Sequence, residues 1–544
     1  MHANTQMGIR LNHCNTCNNV DTTDSQTIAY RPSEYAHSLG VKWISMVSGE
    51  KQRDLGQFFT DPSIAAFMAD SLCDRLPSKN THLRILDPGA GTGILACAVA
   101  EEICARRMAN SIEIVAYEVD QSLNRVLASS LDNAKLWLAE RFIPCEYQVI
   151  QDDFILANSG HLERQRSLLH VDDSQRGTFD CIIMNPPYFK ISKNDPRAVA
   201  ALSVVHGQPN IYALFMAVAA AMLSPQGCFV SITPRSFAAG PYFSRFRQTF
   251  FSMLQPVALH LFGSRRDAFS EDAVLQENVI LVARSVPEHH AHEKVIVTSS
   301  MGIEDLGDAT KVEVCPDMVI DHSSTSKILH IPVNSADVQL LEYFRRWDGS
   351  LRDYGLEIST GPVVPFRSTE YLRSQADHTT VPLLWMHHVH PMAVSWPQRE
   401  CNKPQYISNV DSSARLLVPD QTYVLLRRFS SKEQDRRLTA APLFAGELGY
   451  GFIGIENHLN YIYGRVEQLT EEVAYALAAL LNSELFDRYF RIFNGNTQVS
   501  ATELRQMPLP SLSKIEKLGR LIASNSISPH SVDSMIMDWF WSPN

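Results

Sequence analysis

The sequence predicts an α/β fold in which helices cover both faces of a mainly parallel sheet, followed by a second domain. Short apolar runs alternate with helical segments from residue 83 to residue 285, an alternation typical of parallel sheets. The chain has 544 residues, which is too long for one ordinary domain. Hydrophobic residues make up 45% and charged residues 20%, the usual proportions of a globular protein.

Seven strands are predicted from short apolar runs bounded by turn signals. Their limits are 83–87, 112–118, 147–151, 179–184, 228–233, 257–262 and 279–284. The segments between them predict helices, at 93–107, 121–141, 211–223 and 241–254. The polar stretch 157–177 is predicted to be an inserted surface loop.

The predicted domain boundaries follow from where this pattern starts and stops. Residues 1–50 are polar and weakly patterned, which predicts an N-terminal arm leading into a helix, and the alternating pattern belongs to 51–290. The pattern breaks over 291–335, which predicts a connection between domains. Residues 336–544 are predicted to form a mixed α/β domain with one amphipathic helix at 471–491.

Charge and hydropathy restrict the class of protein. The net charge is −11, so nucleic-acid binding would require a local basic face. The N-terminal residues lack the apolar segment of a signal peptide, and the most apolar run, 211–223, is too short to span a bilayer. A cytoplasmic protein is therefore expected.

No metal site is expected from the cysteines and histidines. Cys14 and Cys17 form a lone CxxC pair without the second pair of a structural zinc site. His387, His388 and His390 stand close together in the sequence, but no carboxylate or cysteine accompanies them. They are therefore expected to be ordinary polar loop residues.

A glycine-rich stretch, ILDPGAGTGIL at 85–95, follows the first strand and opens the first helix. Gly89, Gly91 and Gly93 allow tight backbone turns and the close approach of a ligand. The spacing differs from the G-x-G-x-x-G dinucleotide fingerprint, and the Lys-Ser/Thr pair of a phosphate loop is missing. Because Asp87 would repel phosphate and attract a cation or an amine, a positively charged ligand is predicted.

Acidic residues also follow the next two predicted strands. Glu118 can accept hydrogen bonds from both ribose hydroxyls, and Asp153 can accept one from an adenine amine with Phe154 against the ring. Parallel strands bring their carboxyl ends to one edge of the sheet, where open α/β folds bind ligands. A nucleoside with a positively charged tail fits Asp87, Glu118 and Asp153, and S-adenosylmethionine is such a molecule.

The fourth strand runs directly into Asn185-Pro186-Pro187-Tyr188. The two prolines fix their own φ angles and push the residues before them away from helical conformations. The turn therefore holds the Asn185 amide and the backbone carbonyls as fixed hydrogen-bonding groups and aims the Tyr188 ring. This combination is suited to gripping a flat molecule.

The order of these motifs resembles the gamma class of N6-adenine DNA methyltransferases, the class of the TaqI enzyme and of type II restriction–modification methyltransferases. LGQFFTDPSIAAFM (55–68) resembles the segment before the glycine loop, and DPGAGTG, YEVD, QDDF and NPPY follow in the family's order. The stretches 208–215 and 265–284 resemble the next and last motifs, so the likeness covers about residues 50–285. It implies a Rossmann-like, seven-stranded catalytic domain that uses S-adenosylmethionine.

The resemblance implies a role for each residue of the turn. The Asn185 side-chain oxygen and the Pro186 carbonyl would accept the two N6 hydrogens of an adenine rotated out of the duplex. Pro187 would keep the turn rigid, and Tyr188 would stack on the base. Stacking is worth about 1–3 kcal/mol per base, which helps to offset unstacking.

Three further residues take roles from the same resemblance. Phe269 is the candidate for a second aromatic contact with the target base, and Thr60 and Pro62 would help to cover the methionine part of the cofactor. Because the sulfonium leaves without assistance, no metal or strong base is required. Catalysis would consist of positioning and hydrogen-bond electrostatics.

The second domain resembles the specificity domain of these type II enzymes in the stretches 424–438 and 480–510. It is predicted to bind double-stranded DNA, since arginines can read guanine edges or contact phosphates. A solvated helix face and packing against the catalytic domain are the alternatives. The candidate DNA contacts are Arg427, Arg428, Lys432, Arg436, Arg437, Asn496 and Gln498. A cognate restriction endonuclease is the expected functional partner.

Other functions remain open at the level of the sequence. A methyltransferase of RNA adenine or of a protein glutamine side chain could use the same turn, although a glutamine substrate would leave the Arg-rich second half unexplained. A fused restriction enzyme is disfavoured because about 50 residues precede the cofactor motifs. A non-catalytic DNA-binding protein is disfavoured because the whole catalytic set is present.

Overall fold

A computed structural model gives the arrangement of both halves of the chain. The described residues are 30–46, 60–77, 81–167, 177–263, 277–285, 293–322, 324–431, 434–524 and 529–540. The strands of the first domain are β1 (Leu83–Pro88), β2 (Ile112–Tyr117), β3 (Cys145–Ile150), β4 (Phe179–Met184), β5 (Leu223–Pro234), β6 (Leu254–Phe262), β7 (Asn278–Ser285), β8 (Val295–Ser300) and β9 (Thr310–Val314).

These strands form one mixed sheet in the order β3-β2-β1-β4-β5-β7-β6-β8-β9. Strands β1 to β5 run parallel to one another. Strand β7 lies between β5 and β6 and is antiparallel to both. All seven predicted strands are present within this sheet. The parallel strands bring the ends of β1, β2, β3 and β4 to one edge, as the sequence predicted.

Helices cover both faces of the sheet, which confirms the predicted α/β fold. The apolar helix Ile211–Ala220 has all ten residues buried on one face, and Ile94–Ala105 is nearly as buried on the other. The helices of this domain are α1 (Pro32–Met46), α2 (Pro62–Cys73), α3 (Ile94–Ala105), α4 (Gln121–Ala139), α5 (Phe154–Asn158), α6 (Gly160–Ser167), α7 (Pro196–Ala200), α8 (Ile211–Ala220), α9 (Ser244–Met253) and α10 (Pro316–Val319).

The sheet extends beyond the seven predicted strands. Strand β8 pairs in parallel with β6, and β9 pairs antiparallel with β8. Both lie in the segment 291–335 that the sequence predicted as a connection. The sequence did not reveal these two strands because polar residues interrupt them. Strands near the edge of a sheet can bury only one face, so they lack a continuous apolar run.

The predicted arm and the predicted inserted loop both contain helices. Helix α1 packs on α3 and α4, where Glu101 accepts hydrogen bonds from Arg31 Nε at 2.8 Å and from the Ser33 backbone N–H at 2.6 Å. Helices α5 and α6 occupy the start of the segment predicted as a loop at 157–177. None of the helices in the described ranges combines the length and hydropathy needed to cross a bilayer.

The second domain contains two small sheets followed by helices. One sheet has the order β10-β20-β17-β18 and the other β11-β15-β12-β19-β16, with a separate β13–β14 pair. The strands are β10 (Leu356–Thr360), β11 (Leu372–Arg373), β12 (Thr380–Leu384), β13 (Val389–His390), β14 (Ala393–Val394), β15 (Tyr406–Ser408), β16 (Leu417–Pro419), β17 (Tyr423–Arg427), β18 (Ala440–Leu443), β19 (Phe452–Ile455) and β20 (Leu459–Gly464).

The helix predicted at 471–491 is in fact two helices. Ser483 adopts an extended conformation between them, and its Oγ accepts a hydrogen bond from the Phe486 backbone N–H. A serine that caps the next helix therefore interrupts a continuous apolar pattern. The helices of this domain are α11 (Ser335–Phe344), α12 (Glu471–Asn482), α13 (Glu484–Phe493), α14 (Ala501–Arg505), α15 (Leu512–Ser524) and α16 (Pro529–Phe540).

Candidate functional site

The glycine loop connects β1 to α3 at the edge where the parallel strands end. Gly89, Gly91 and Gly93 have φ angles of +75°, +55° and +82°, a region that L side chains rarely adopt. A Cβ added at Gly93 would lie 2.7 Å from Leu127 Cδ1. The glycines therefore permit both the turn and the close packing of the loop against α4.

Asp87, at the end of β1, carries an unfilled hydrogen-bonding site. The residue is fully buried, and its Oδ2 accepts a hydrogen bond from the Ala96 backbone N–H at 3.2 Å. Its Oδ1 has no partner among the described residues. Burial, together with the smaller effect of the nearby Glu118, raises the pKa of Asp87 to about 7, although the Ala96 hydrogen bond lowers it. A cation or an amine at this edge would supply the missing partner.

Glu118, directly after β2, is hydrogen-bonded to the glycine loop. Its Oε2 accepts a hydrogen bond from the Gly91 N–H at 3.0 Å, and its Oε1 accepts one from the Asp120 N–H at 2.8 Å. Each carboxylate oxygen has a further lone pair, so these bonds leave capacity for ribose hydroxyls. Burial raises the pKa of Glu118. Together with the orphaned Asp87 oxygen, this donor-poor, acidic edge fits the predicted cationic nucleoside.

The two candidate residues after β3, Asp153 and Phe154, lie in different surroundings. Asp153 caps α5, because its Oδ1 accepts from the N–H groups of Ile155 and Leu156, both at 3.0 Å. Phe154 is 2% exposed and packs between two other aromatic rings. The ring is thus part of the core, and the contacts of Phe154 and Asp153 with the cofactor stay predictions.

The Asn185–Tyr188 turn follows β4 and is held by contacts from two other segments. Asn185 Nδ2 donates to Thr60 Oγ1 at 3.1 Å, immediately before α2. The Tyr188 hydroxyl lies within hydrogen-bond distance of Asn185 Oδ1 and of the Ile232 carbonyl oxygen in β5. The carboxamide is therefore held with its oxygen toward Tyr188, as this network assigns it.

The glycine loop and the turn lie side by side. A Cβ added at Gly89 would lie 3.9 Å from Pro187 Cδ and 3.4 Å from Phe215 Cε1. Pro186 is buried, and Pro187 and Tyr188 are half-buried. The structure thus brings the predicted cofactor loop and the predicted catalytic turn side by side at the strand ends, with Pro62 at the start of α2 near Thr60.

One predicted DNA contact is instead a structural residue. Arg437 is fully buried, and its guanidinium donates to Ser430 Oγ at 2.9 Å, Asn494 Oδ1 at 3.1 Å and the Asn496 carbonyl at 2.6 Å. This placement contradicts the prediction that Arg437 contacts DNA. Its role is to fix the loop that carries Asn496 and Gln498.

The other candidates near this loop are more accessible. Arg427 Nε donates to the Val389 carbonyl at 2.7 Å and Arg428 Nη1 to the Asn457 carbonyl at 2.9 Å, which leaves other guanidinium hydrogens for phosphate. The Val499 N–H donates to the Arg428 carbonyl at 2.7 Å, so strand β17 lies beside the loop.

The remaining predicted DNA contacts differ in their exposure and in whether other side chains already pair with them. Gln498 is exposed and Asn496 is half-buried. Arg436 is already neutralised by Asp533 at 2.7 Å and Glu484 at 3.7 Å. Their contacts with DNA stay predictions, and Phe269 and Lys432 lie outside the described residues.

Sequence reasoning missed a residue that joins the two domains. Arg235, 4% exposed just after β5, pairs with Glu277 at 3.0 Å and donates to the Arg491 carbonyl at 3.0 Å and to the Ile492 carbonyl. Gly495 packs directly against the Arg235 side chain. No local pattern marks such an arginine, because its partners in the second domain lie more than 250 residues away.

The expectation that no cysteine accompanies the histidine cluster is wrong. His387, His388 and Cys401 each offer a ligand atom within 4.8 Å of the others, and His387 Nε2 lies 3.1 Å from Cys401 Sγ. However, His388 Nδ1 accepts a hydrogen bond from the Trp385 N–H at 3.0 Å, which leaves the ring hydrogen on Nε2. Two remaining ligands are fewer than protein zinc sites use, so the structure gives no reason to abandon the prediction of no metal.

Comparisons with known proteins agree with this arrangement. The family model for the Eco57I restriction-modification methylase matches residues 99–269. The chain is 34% identical to the type II methyltransferase M.BsuBI of Bacillus subtilis over 90% of this chain and 94% of that protein. It is 30% identical to the type II methyltransferase M.PstI of Providencia stuartii over 89% of this chain and 92% of that protein.

Two solved structures are similar to the chain at lower sequence identity. The type IIG restriction endonuclease BpuSI is 13% identical, with a TM-score of 0.39 over 94% of this chain and 66% of that chain. A DrdV–DNA complex is 14% identical, with a TM-score of 0.45 over 91% of this chain and 60% of that chain.

The two close relatives extend over nearly the whole chain, including both domains. Methyltransferases of this kind take the methyl group from S-adenosylmethionine, which confirms the predicted cofactor. The chain therefore belongs to the type II restriction–modification methyltransferases, enzymes that bind and methylate DNA.

Proposed function

We propose that this enzyme methylates N6 of an adenine that is rotated out of duplex DNA. The observation that carries the proposal is the Asn185 carboxamide, held by Thr60 and Tyr188 beside the glycine loop. A base inside the helix cannot present its exocyclic amine to a protein-bound methyl group, so the base must leave the stack.

The turn offers acceptors that suit an exocyclic amine. Asn185 Oδ1 and the Pro186 carbonyl accept the two N6 hydrogens and draw the nitrogen lone pair away from the ring. Tyr188 stacks on one face of the base, and Phe269 stays the predicted second aromatic contact. A methyl group carried by S-adenosylmethionine would be transferred to N6 as its bond to sulfur breaks, and N6 would lose one proton to solvent, giving N6-methyladenine and S-adenosylhomocysteine.

Asp87 and Glu118 hold the donor at the neighbouring strand ends. S-adenosylmethionine supplies an electrophilic methyl group on a positively charged sulfur. The Asp87 oxygen without a partner binds a positively charged or N–H-bearing part of the donor, and Glu118 accepts from its ribose. Because the leaving sulfur needs no protonation, the chain needs only to align the two molecules.

The second domain holds the duplex over these strand ends. Arg427 and Arg428 contact phosphates or base edges, and the loop that carries Asn496 and Gln498 lies beside them. Arg235 connects this loop to the end of β5, next to the catalytic turn. A restriction endonuclease that cuts the same site is the proposed functional partner.

The test is to map modified bases in DNA from cells that express the chain. We expect N6-methyladenine at one short recurring site, and its loss in Asn185→Ala, because the variant removes the principal acceptor. Asn185→Ala should still bind S-adenosylhomocysteine. The matched control is Asn110→Ala, an exposed asparagine before β2 at the opposite edge of the sheet, which should methylate normally.

Other outcomes would contradict the proposal directly. N4-methylcytosine in place of N6-methyladenine would assign the turn to a different exocyclic amine. Methylated RNA or protein with unmodified DNA would favour the alternative substrates. Unchanged methylation by Asn185→Ala would show that Asn185 has no role in the reaction.

A further inference from the structure

The hydroxyl group of Tyr188 lies between two hydrogen-bond acceptors. Its oxygen is 2.5 Å from Asn185 Oδ1 and 2.9 Å from the Ile232 carbonyl oxygen. A phenol has one hydrogen, so it donates to one of these oxygens at a time. Burial raises the pKa of Tyr188 well above its usual value, and the hydroxyl keeps this hydrogen at neutral pH. Rotation of the hydroxyl therefore exchanges one bond for the other.

The first acceptor is the atom that the proposed function assigns to the target base. Thr60 Oγ1 accepts from Asn185 Nδ2 at 3.1 Å, which turns Oδ1 toward Tyr188. An amide oxygen can accept two hydrogen bonds, but two donors draw on the same electron density and each bond is weaker. The hydroxyl of Tyr188 and an N6 hydrogen therefore compete for Asn185 Oδ1.

The second acceptor allows the hydroxyl to move without losing its partner. A buried donor left unpaired is unfavourable, and a hydroxyl displaced by the base would otherwise be in that state. Ile232 belongs to β5, the strand that pairs with β4 just before the turn. Its carbonyl remains fixed by the sheet while the turn receives its ligand.

We propose that the Tyr188 hydroxyl holds the Asn185 carboxamide in the free enzyme and releases it to the target adenine by rotating to the Ile232 carbonyl. Tyr188 is then a positioning residue for Asn185 in addition to a stacking surface. The proposal rests on the proposed function, since it requires an exocyclic amine at Asn185 Oδ1. It predicts that the hydroxyl opposes binding of an amine-bearing base specifically.

The test compares Tyr188→Phe with the wild type on two duplexes. Both carry the mapped recognition site, one with adenine at the target position and the other with purine, which lacks the 6-amino group. Binding is measured by fluorescence anisotropy with S-adenosylhomocysteine present. The quantity compared is the affinity for the adenine duplex divided by the affinity for the purine duplex. We expect this ratio to be about three- to tenfold higher for Tyr188→Phe than for the wild type, the range that one hydrogen bond supports.

Two further variants make the comparison specific. Tyr212→Phe removes a neighbouring hydroxyl that bonds to Ser236 Oγ and whose ring packs edge-on against Tyr188. It should leave the adenine-to-purine ratio at its wild-type value. Thr60→Val removes the hydroxyl that accepts from Asn185 Nδ2 and should lower this affinity ratio, because the carboxamide is then held less firmly with its oxygen toward the base. Thr60→Val also provides an answer if Tyr188→Phe does not fold.

The outcomes separate this inference from the function on which it rests. If the wild type leaves adenine unmethylated, the proposed function fails before the comparison begins. If the wild type methylates adenine and Tyr188→Phe changes both duplexes equally, the hydroxyl does not compete for Asn185 Oδ1. That result would mean that the carboxamide presents Nδ2 to the hydroxyl, and it would overturn the inference.

Discussion

Replacing Asp87 with asparagine should stabilise the free protein and weaken cofactor binding. Asp87 is fully buried, and burial raises its pKa from 3.8 to about 7. One pKa unit corresponds to about 1.4 kcal/mol, so the ionised carboxylate opposes folding by at most about 4 kcal/mol. Relaxation and partial hydration reduce this figure, and we expect Asp87→Asn to recover about 1–2 kcal/mol.

The pH dependence has a defined sign. A carboxyl whose folded pKa is raised contributes its full stability below pH 4, where both states are protonated, and this contribution is lost as the pH rises toward about 7. Asparagine does not titrate, so the variant and the wild type should have similar melting temperatures near pH 4. Above pH 7 the variant should melt about 2–8 °C higher, given about 2–4 °C per kcal/mol.

Cofactor binding should change in the opposite direction. An asparagine cannot offer a charged acceptor to the donor molecule, and a hydrogen bond to a charged group contributes about 1.5–3 kcal/mol. We expect S-adenosylmethionine to bind about 10- to 100-fold more weakly by calorimetry. A variant that is more stable and binds less tightly cannot be explained by misfolding.

The matched control is Glu146→Gln, which removes a carboxylate that is 80% exposed at the start of β3. It should change neither the melting temperature at high pH nor cofactor affinity. Equal melting temperatures of Asp87→Asn and the wild type above pH 7 would refute the inferred cost of the buried charge. Unchanged cofactor affinity would refute the assignment of the orphaned oxygen.

Three further predictions concern DNA binding, the domain junction and the glycine loop. Replacing Arg427 and Arg428 together with Ala should weaken duplex binding and reduce the slope of affinity against salt concentration by about 2, as titrations at several ionic strengths would measure. Arg235→Met should destabilise the protein by about 3–5 kcal/mol in urea denaturation, because it removes one partner of a buried ion pair and the hydrogen bonds to the Arg491 and Ile492 carbonyls. Gly93→Ala should cost about 1–3 kcal/mol and weaken cofactor binding, whereas Gly446→Ala, at a similar φ of +78° with open space around it, should show the cost of backbone strain alone.

The catalytic domain could be predicted closely because its signals are local. Each of the strands β1, β2 and β4 is nearly continuous in apolar residues, since helices cover both faces of a parallel sheet. The predicted limits differ from the observed limits by at most about five residues at any strand end. The glycine loop and the Asn185 turn were also visible, because unusual backbone conformations require particular residues.

The failures involve contacts between distant parts of the chain. Arg427 and Arg437 occur in the same basic stretch, yet one is half-buried at a strand end and the other is sealed under the 494–499 loop. Nothing in the local sequence distinguishes them, since their partners come from other elements. Cys401 was overlooked for the same reason, because a hairpin brings it to His387 across 14 residues.

A physical criterion separates these cases once the structure is known. Arg437 has its guanidinium satisfied by three partners within the protein, so the fold itself accounts for it. Asp87 and Asn185 differ, because one keeps a buried oxygen without a partner and the other shares its oxygen with a hydroxyl that has a second acceptor. A folded chain gains no stability from an orphaned or contested acceptor. Such groups are therefore expected where a ligand completes them, and both lie at the ends of neighbouring parallel strands.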